Sequence, residues 1–152
     1  MHIREATTED LDEILNLFDE TVRNVNSKDY SSHQIQVWSS AKNRNLWTEK
    51  IKNQSFLVAI SNEKIVGFSS IDSVGYLDFM YVHCQHLRKG IATALINRIE
   101  AIAADQSNDS IWSSVSITAK PFFIKKGYLQ FDSELKEIDG VSFTNALMKK
   151  VL

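Results

Sequence analysis

The sequence predicts an α/β fold, a mixed, largely antiparallel sheet of about seven strands flanked by helices, in the order β-α-α-β-β-β-α-β-α-β-β. Three observations carry this. Seven short runs rich in β-branched and aromatic residues read as strands. Longer stretches with apolar residues at 3.6-residue spacing lie between them and read as helices. Two of the runs, Ser55–Ile60 and Lys64–Ile71, flank a tight turn at Asn62-Glu63, which makes them a hairpin and therefore antiparallel neighbours.

Each element has a local reason. His2 to Ala6 is a short first strand. Thr7 or Thr8 caps a helix whose stripe is Leu11, Ile14, Leu15, Phe18 and Val22, with Asp10 three residues after Thr7 as a capping box. The polar residues 26–31 break that helix. A second helix runs from about Ser32 to Ala41 with Ile35 and Trp38 on one side, and Trp47 to Lys52 adds a further turn or two. Gly75 to Val82 is the next strand. A helix from Gly90 to about Asp105 carries Ile91, Leu95, Ile99 and Ile102, and Ser110 to Thr118 is β-rich. Pro121 suits the first turn of a short helix that ends before Gly127, a left-handed stop. Leu129–Asp132 and Val141–Met148 are the closing strands.

Composition sets bounds. The 152 residues, 43% hydrophobic and 24% charged, are expected to form one domain, 1–152, with a full core. A net charge of −2 argues against a broad nucleic-acid footprint. No apolar run approaches the roughly 18–20 residues that span a bilayer, so neither nucleic acid nor membrane is an expected partner. The single cysteine, Cys84, excludes an intrachain disulfide and any multi-Cys zinc site, and no metal is expected. With no apolar segment in Met1-His-Ile-Arg-Glu, the expected location is cytoplasmic.

The densest chemical signal is Tyr76 to Leu95. A strand-like run ends at Val82, a basic loop follows, and Gly90-Ile91-Ala92-Thr93 opens a helix. A helix N-terminus presents unpaired N–H groups and the positive end of a dipole, a natural anion cradle. Gly90 and Ala92 let oxygens approach the backbone, Arg88 and Lys89 add charge, and Thr93 adds a hydroxyl.

Strand–Arg88-Lys89-Gly90-Ile91-Ala92–helix resembles the acyl-CoA pyrophosphate loop of the GNAT superfamily of N-acyltransferases, Gln/Arg-x-x-Gly-x-Gly/Ala, with Leu87 where Gln or Arg is usual. Ala119-Lys-Pro-Phe-Phe-Ile-Lys-Lys-Gly-Tyr128 resembles that family's Ala-x-x-Phe-Tyr-x-x-x-Gly-Phe segment. The resemblance covers nearly the whole chain. It implies acetyl transfer from acetyl-CoA to a primary amine, on a small molecule or peptide, by direct attack in a ternary complex. It implies pyrophosphate on Arg88, Lys89, Gly90, Ile91, Ala92 and Thr93, and pantetheine on backbone groups of Met80, Tyr81 and Val82, with an oxyanion donor near Met80. Phe123 takes the cofactor-site position where many members carry a Tyr acid. Such proteins often dimerise, so a homodimer is among the expectations.

The remaining candidates follow from residue type. Strict strand alternation places Tyr76, Asp78, Met80 and Val82 on one face, and the resemblance implies that this face looks toward the acceptor groove, where Asp78 would bind or deprotonate the amine. Ser114, Ser116 and Thr118 alternate on the next strand and are able to relay protons or hold water, with Ser116 the reserve site for the base. Tyr30 and Tyr128 are alternative acids. His83 and Cys84 sit in the turn toward the phosphate loop, and Trp38 and Trp47 belong either to the core or to a pocket wall. Two rival functions stay open: a non-catalytic acyl-CoA-binding module, favoured by Phe123, and a toxin-type acetyltransferase of aminoacyl-tRNA, disfavoured by the net charge.

Overall fold

The computed structural model describes residues Met1–Leu152. Strand β1 (His2–Glu5) leads through a single turn into helix α1 (Leu11–Asn24), which buries Ile14, Leu15, Phe18 and Val22 on one side. Asp10 sets the junction. Its Oδ2 accepts the Thr7 N–H at 2.8 Å, and its two oxygens take a bidentate Arg4 at 2.8 and 2.9 Å. The Arg4 hydrogen bond holds the Asp10 carboxyl below its ordinary 3.8, against a smaller opposing effect of desolvation. A depressed carboxylate contributes stability that is present above 3.8 and lost as pH falls through the lower folded value. Asp10→Asn is therefore expected to cost about 0.5–1 kcal/mol at neutral pH and progressively less as pH falls below 3.8. Denaturant titrations at several pH values check this; an equal loss at both ends would rule it out.

Helix α2 (Ser32–Ser39) opens on a reciprocal box, in which Gln34 N–H donates to Ser31 Oγ at 3.1 Å and Ser31 N–H to Gln34 Oε1 at 2.9 Å. The region expected to add a turn or two is a full third helix, α3 (Arg44–Asn53). Asn43 caps it by accepting the Leu46 N–H at 3.1 Å, and Trp47 and Ile51, one turn apart, are buried. No helix is long and apolar enough to cross a membrane.

The seven strands form two antiparallel sheets. Strands β2 (Ser55–Ser61), β3 (Lys64–Ile71) and β4 (Leu77–Val82) continue β1 in the order β1-β2-β3-β4. Strands β5 (Ser110–Val115), β6 (Leu129–Ile138) and β7 (Val141–Val151) order as β5-β7-β6. β6 and β7 run further than expected because Asp139 and Gly140 both take positive φ, the geometry of a two-residue hairpin turn that lets pairing continue to its end. β5 ends at Val115 rather than Thr118. Ser116 starts a turn there, its carbonyl accepting from Lys120 and its Oγ from Ala119, and this turn leads into α5 (Lys120–Lys125).

Helix α4 (Ile91–Asp105) buries Leu95, Ile96 and Ile99 against one side of both sheets, together with Leu77, Ile111, Val115 and Met148. Helices α1, α2 and α3 pack an aromatic-rich cluster on the other side, including Phe18, Trp47, Phe56 and Phe68. The sheets meet at a single parallel bridge, Tyr76 to Trp112. Trp112 N–H donates to Gly75 O at 3.1 Å and Ser113 Oγ to Leu77 O at 2.8 Å. Beyond these clasps β4 and β5 form no ladder, so the mixed character rests on one contact and the strands splay into a gap.

Candidate active site

The gap leads to the basic loop. Arg88 and Gly90 both have positive φ, 60° and 79°, which folds the chain back so that α4 starts abruptly at Ile91. None of the N–H groups from Arg88 to Thr93 donates to a protein acceptor; the first helical bond runs from Ala94 to Gly90 O. A Cβ built on Gly90 meets no atom within 4 Å, so open space lies over the cradle. Six unpaired donors beside open space at a helix N-terminus suit phosphate oxygens.

The edge of β4 offers the next contacts. His83 N–H donates to Val66 O, which fixes the ladder phase with β3. Alternation then turns the backbone groups of Met80 and Val82 toward the gap and commits those of Tyr81 to Phe68. Tyr81 therefore cannot offer backbone groups to a ligand; it contributes a ring. Val82 O accepts from Thr21 Oγ1 at 3.2 Å, which ties α1 to this edge.

A cavity of about 360 Å³ fills the splay and continues toward α2 and α3. Trp38, Trp47, Phe79, Tyr81 and Phe143 wall one end, and Phe123, with Leu87, the other. Phe123 is buried and packs edge-on against Tyr128 at 5.1 Å, so it presents a ring and no hydroxyl to the cavity. Burial pushes the Tyr81 hydroxyl well above its ordinary value, and it stays a neutral donor. Tyr76 is pushed up to about 12 by burial, with Asp78 and Glu134 adding to the shift. The Asn26 Oδ1, at the base of the cavity, is buried with no protein partner.

The alternation expected for β4 fails at Asp78. The pairing runs Ile71 to Leu77 and then Ser70 to Phe79, so Asp78 is an extra residue in a bulge. Phe79 and Tyr81 face the helical cluster of α1 and α3, while Met80 and Val82 face α4. Asp78 does not share the face of Met80. Its Oδ2 turns to α3, 2.8 Å from Lys50 Nζ and 2.9 Å from Gln54 Nε2. The carboxylate still lines the cavity, but with its charge paired.

Ser116 lines the cavity too, with its hydroxyl accepting the Ala119 N–H at 3.1 Å. Tyr30 lies behind it. Its hydroxyl accepts the Ile117 N–H at 2.8 Å while Asp29 takes the Thr118 hydroxyl at 2.7 Å, so this segment clamps the β5–α5 turn. Tyr128 is core, its hydroxyl donating to Glu100 of α4 at 3.0 Å. His83 Nε2 lies 2.5 Å from Glu20, its Nδ1 accepts the Gln85 N–H, and Cys84 Sγ stands 4.0 Å from that nitrogen.

Among the polar residues that escape a reading of the sequence are Asn26, Lys50 and Asn145, which line the cavity, and Glu134, which reaches it through Ser114. Asn26 lies in the polar break after the first helix, a weak signal. The other three have none, because helix packing and strand register alone bring them there.

A family model described as "Acetyltransferase (GNAT) domain" matches residues 26–152. The "uncharacterized N-acetyltransferase YafP" of Escherichia coli (strain K12) is 31% identical over 150 residues, 98% of this chain and 95% of the relative. Among solved structures, a GCN5-related N-acetyltransferase described as "Aminotransferase, Class-II" from Rhodopseudomonas palustris is 26% identical. It superposes with a TM-score of 0.95, covering 99% of this chain and 95% of that one. PaiA N-acetyltransferase from Thermoplasma acidophilum, solved with coenzyme A, is 20% identical with a TM-score of 0.80, covering 99% and 98%. The chain thus belongs to the GNAT family as an acetyl-CoA-dependent N-acetyltransferase.

Proposed function

We propose that this enzyme moves an acetyl group from acetyl-CoA to a primary amine by direct attack while both are bound. The observation that carries the proposal is the run of six N–H groups, Arg88 to Thr93, without a protein acceptor, set below a β4 edge whose Met80 and Val82 groups also face the gap. The pyrophosphate sits on that run beside Arg88 and Lys89, and pantetheine pairs with Met80 and Val82. The orphaned Asn26 Oδ1 fits an amide N–H of the same arm. The Met80 N–H is the oxyanion donor, and Tyr81 supplies the neutral hydroxyl that Phe123 lacks. Asp78, paired with Lys50, and Ser116 form the polar wall met by the acceptor. Coenzyme A in the PaiA structure and in that of an aminoglycoside 6′-N-acetyltransferase supports the cofactor class. The lone cysteine supports a cytoplasmic setting.

Calorimetry with acetyl-CoA, followed by thiol release with a panel of amino acids, polyamines, aromatic amines and peptides, tests this. Binding in the micromolar to millimolar range and release with at least one amine class are expected. No binding of acetyl-CoA would overturn the proposal. Binding without release on any amine would favour the non-catalytic reading that Phe123 suggests.

A further inference from the structure

Resting on that reading, we propose that the proton lost by the amine leaves through Ser114 to Glu134, a carboxylate on β6. Ser114 lines the cavity and donates to Glu134 Oε2 at 2.6 Å, while its Oγ accepts from Asn145 Nδ2 at 3.1 Å. The register that creates this cluster is unambiguous. Glu134 stands directly opposite Asn145, and Ser114 lies one diagonal step across β7 on the same face. The hydroxyl has one donor bond to the carboxylate and one accepted bond from the amide. Its remaining lone pair is free for a ligand in the cavity.

Charge separates the two carboxylates near the cavity. Asp78 is paired with Lys50 and held by Gln54, so protonating it would break an ion pair. Glu134 forms no ion pair; its one hydrogen-bond partner is Ser114. The ionisable groups around it are Asp132 and Lys136, two residues away on either side along the same face of β6, Tyr76 on the chain entering β4, and Asp78 beyond it. None bridges to it, and Tyr76 senses its negative charge. A primary amine arrives as an ammonium ion, and an uncompensated carboxylate draws it more strongly than one already neutralised. Ser114 is thus the residue that touches the substrate, and Glu134 is a positioning residue that acts through it.

The ammonium gives one proton to Ser114 Oγ as the Ser114 hydroxyl proton passes to Glu134. The amine lone pair forms the N–C bond to the acetyl carbon and the C–S bond breaks, leaving its electron pair on sulfur. The second proton of the new amide nitrogen goes to that thiolate, and Glu134 returns its proton to water.

Glu134→Gln, Ser114→Ala and Glu134→Asp are compared with wild type by thiol release on the amine panel across pH, with acetyl-CoA affinity from calorimetry. The Gln and Ala variants are expected to bind acetyl-CoA as wild type, to lose about 10²–10⁴-fold in kcat/KM, and to lose the acidic limb of the pH–rate profile. The Asp variant should keep that limb at a lower rate. Wild-type rates or an intact acidic limb in Glu134→Gln would overturn the relay. So would a wild type that binds acetyl-CoA yet releases thiol with no amine. Failure of acetyl-CoA to bind wild type would instead overturn the proposed function.

Discussion

Gly90→Val is expected to abolish measurable acetyl-CoA binding while the protein stays folded. Gly90 has φ +79°, a conformation that β-branched residues resist. Its Cβ direction opens onto empty space, with no protein atom within 4 Å of an added Cβ. The folded protein therefore bears only the backbone penalty, about 1–2 kcal/mol. The ligand fares worse, because the isopropyl group stands where phosphate oxygens must come within about 3 Å of the amides. A loss of at least about 100-fold in affinity follows if two or more charge-assisted bonds of roughly 1.5–3 kcal/mol each are prevented. Gly90→Ala separates the causes: it shares the backbone strain but fills less of the space, so its affinity should fall between the two. Calorimetry beside thermal melts makes the comparison. Unchanged affinity in the Val variant would remove the pyrophosphate from this loop.

Trp47→Ala should have the largest effect on stability, about 3–5 kcal/mol. The indole is buried, stacks on Phe79 at 4.4 Å and meets Phe18 edge-on at 5.1 Å, while Nε1 donates to Ala41 O at 3.3 Å. Its removal opens a void beneath the bulge that holds Asp78, and the lowered strand-to-helix packing should also loosen the Lys50–Asp78 pair. For a chain of this size the melting temperature should drop by roughly 10 °C. Trp47→Phe keeps a ring on Phe79 and should recover most of the loss. A melting temperature within 2–3 °C of wild type in the Ala variant would show that the cavity wall, and not the core, is where Trp47 matters.

What the sequence by itself determined was local. The loop and helix from Arg88 onward could be read because a glycine, small residues and an apolar stripe lie within twenty positions, and the unpaired N–H groups that open a helix need nothing from elsewhere in the chain. The Thr7–Asp10 capping box, the Asn62-Glu63 hairpin and the apolar stripe of α4 were legible for the same reason. Asp139-Gly140, equally local, sets the length of β6 and β7, yet the turn goes unread in the sequence, where the closing strands are expected only over Leu129–Asp132 and Val141–Met148. Tertiary structure alone decided which side chains meet in the cavity. One extra residue at Asp78 reverses the side its carboxylate faces, because side-chain direction in a strand has a period of two and a single insertion inverts it. Lys50 reaches Asp78 only through the packing of α3, and Glu134 reaches Ser114 only through the register of three strands whose residues lie 20 and 31 positions apart in the chain. Nothing in the composition around positions 50, 134 or 145 marks them, since long-range pairing is set by the whole core and not by any neighbouring residue.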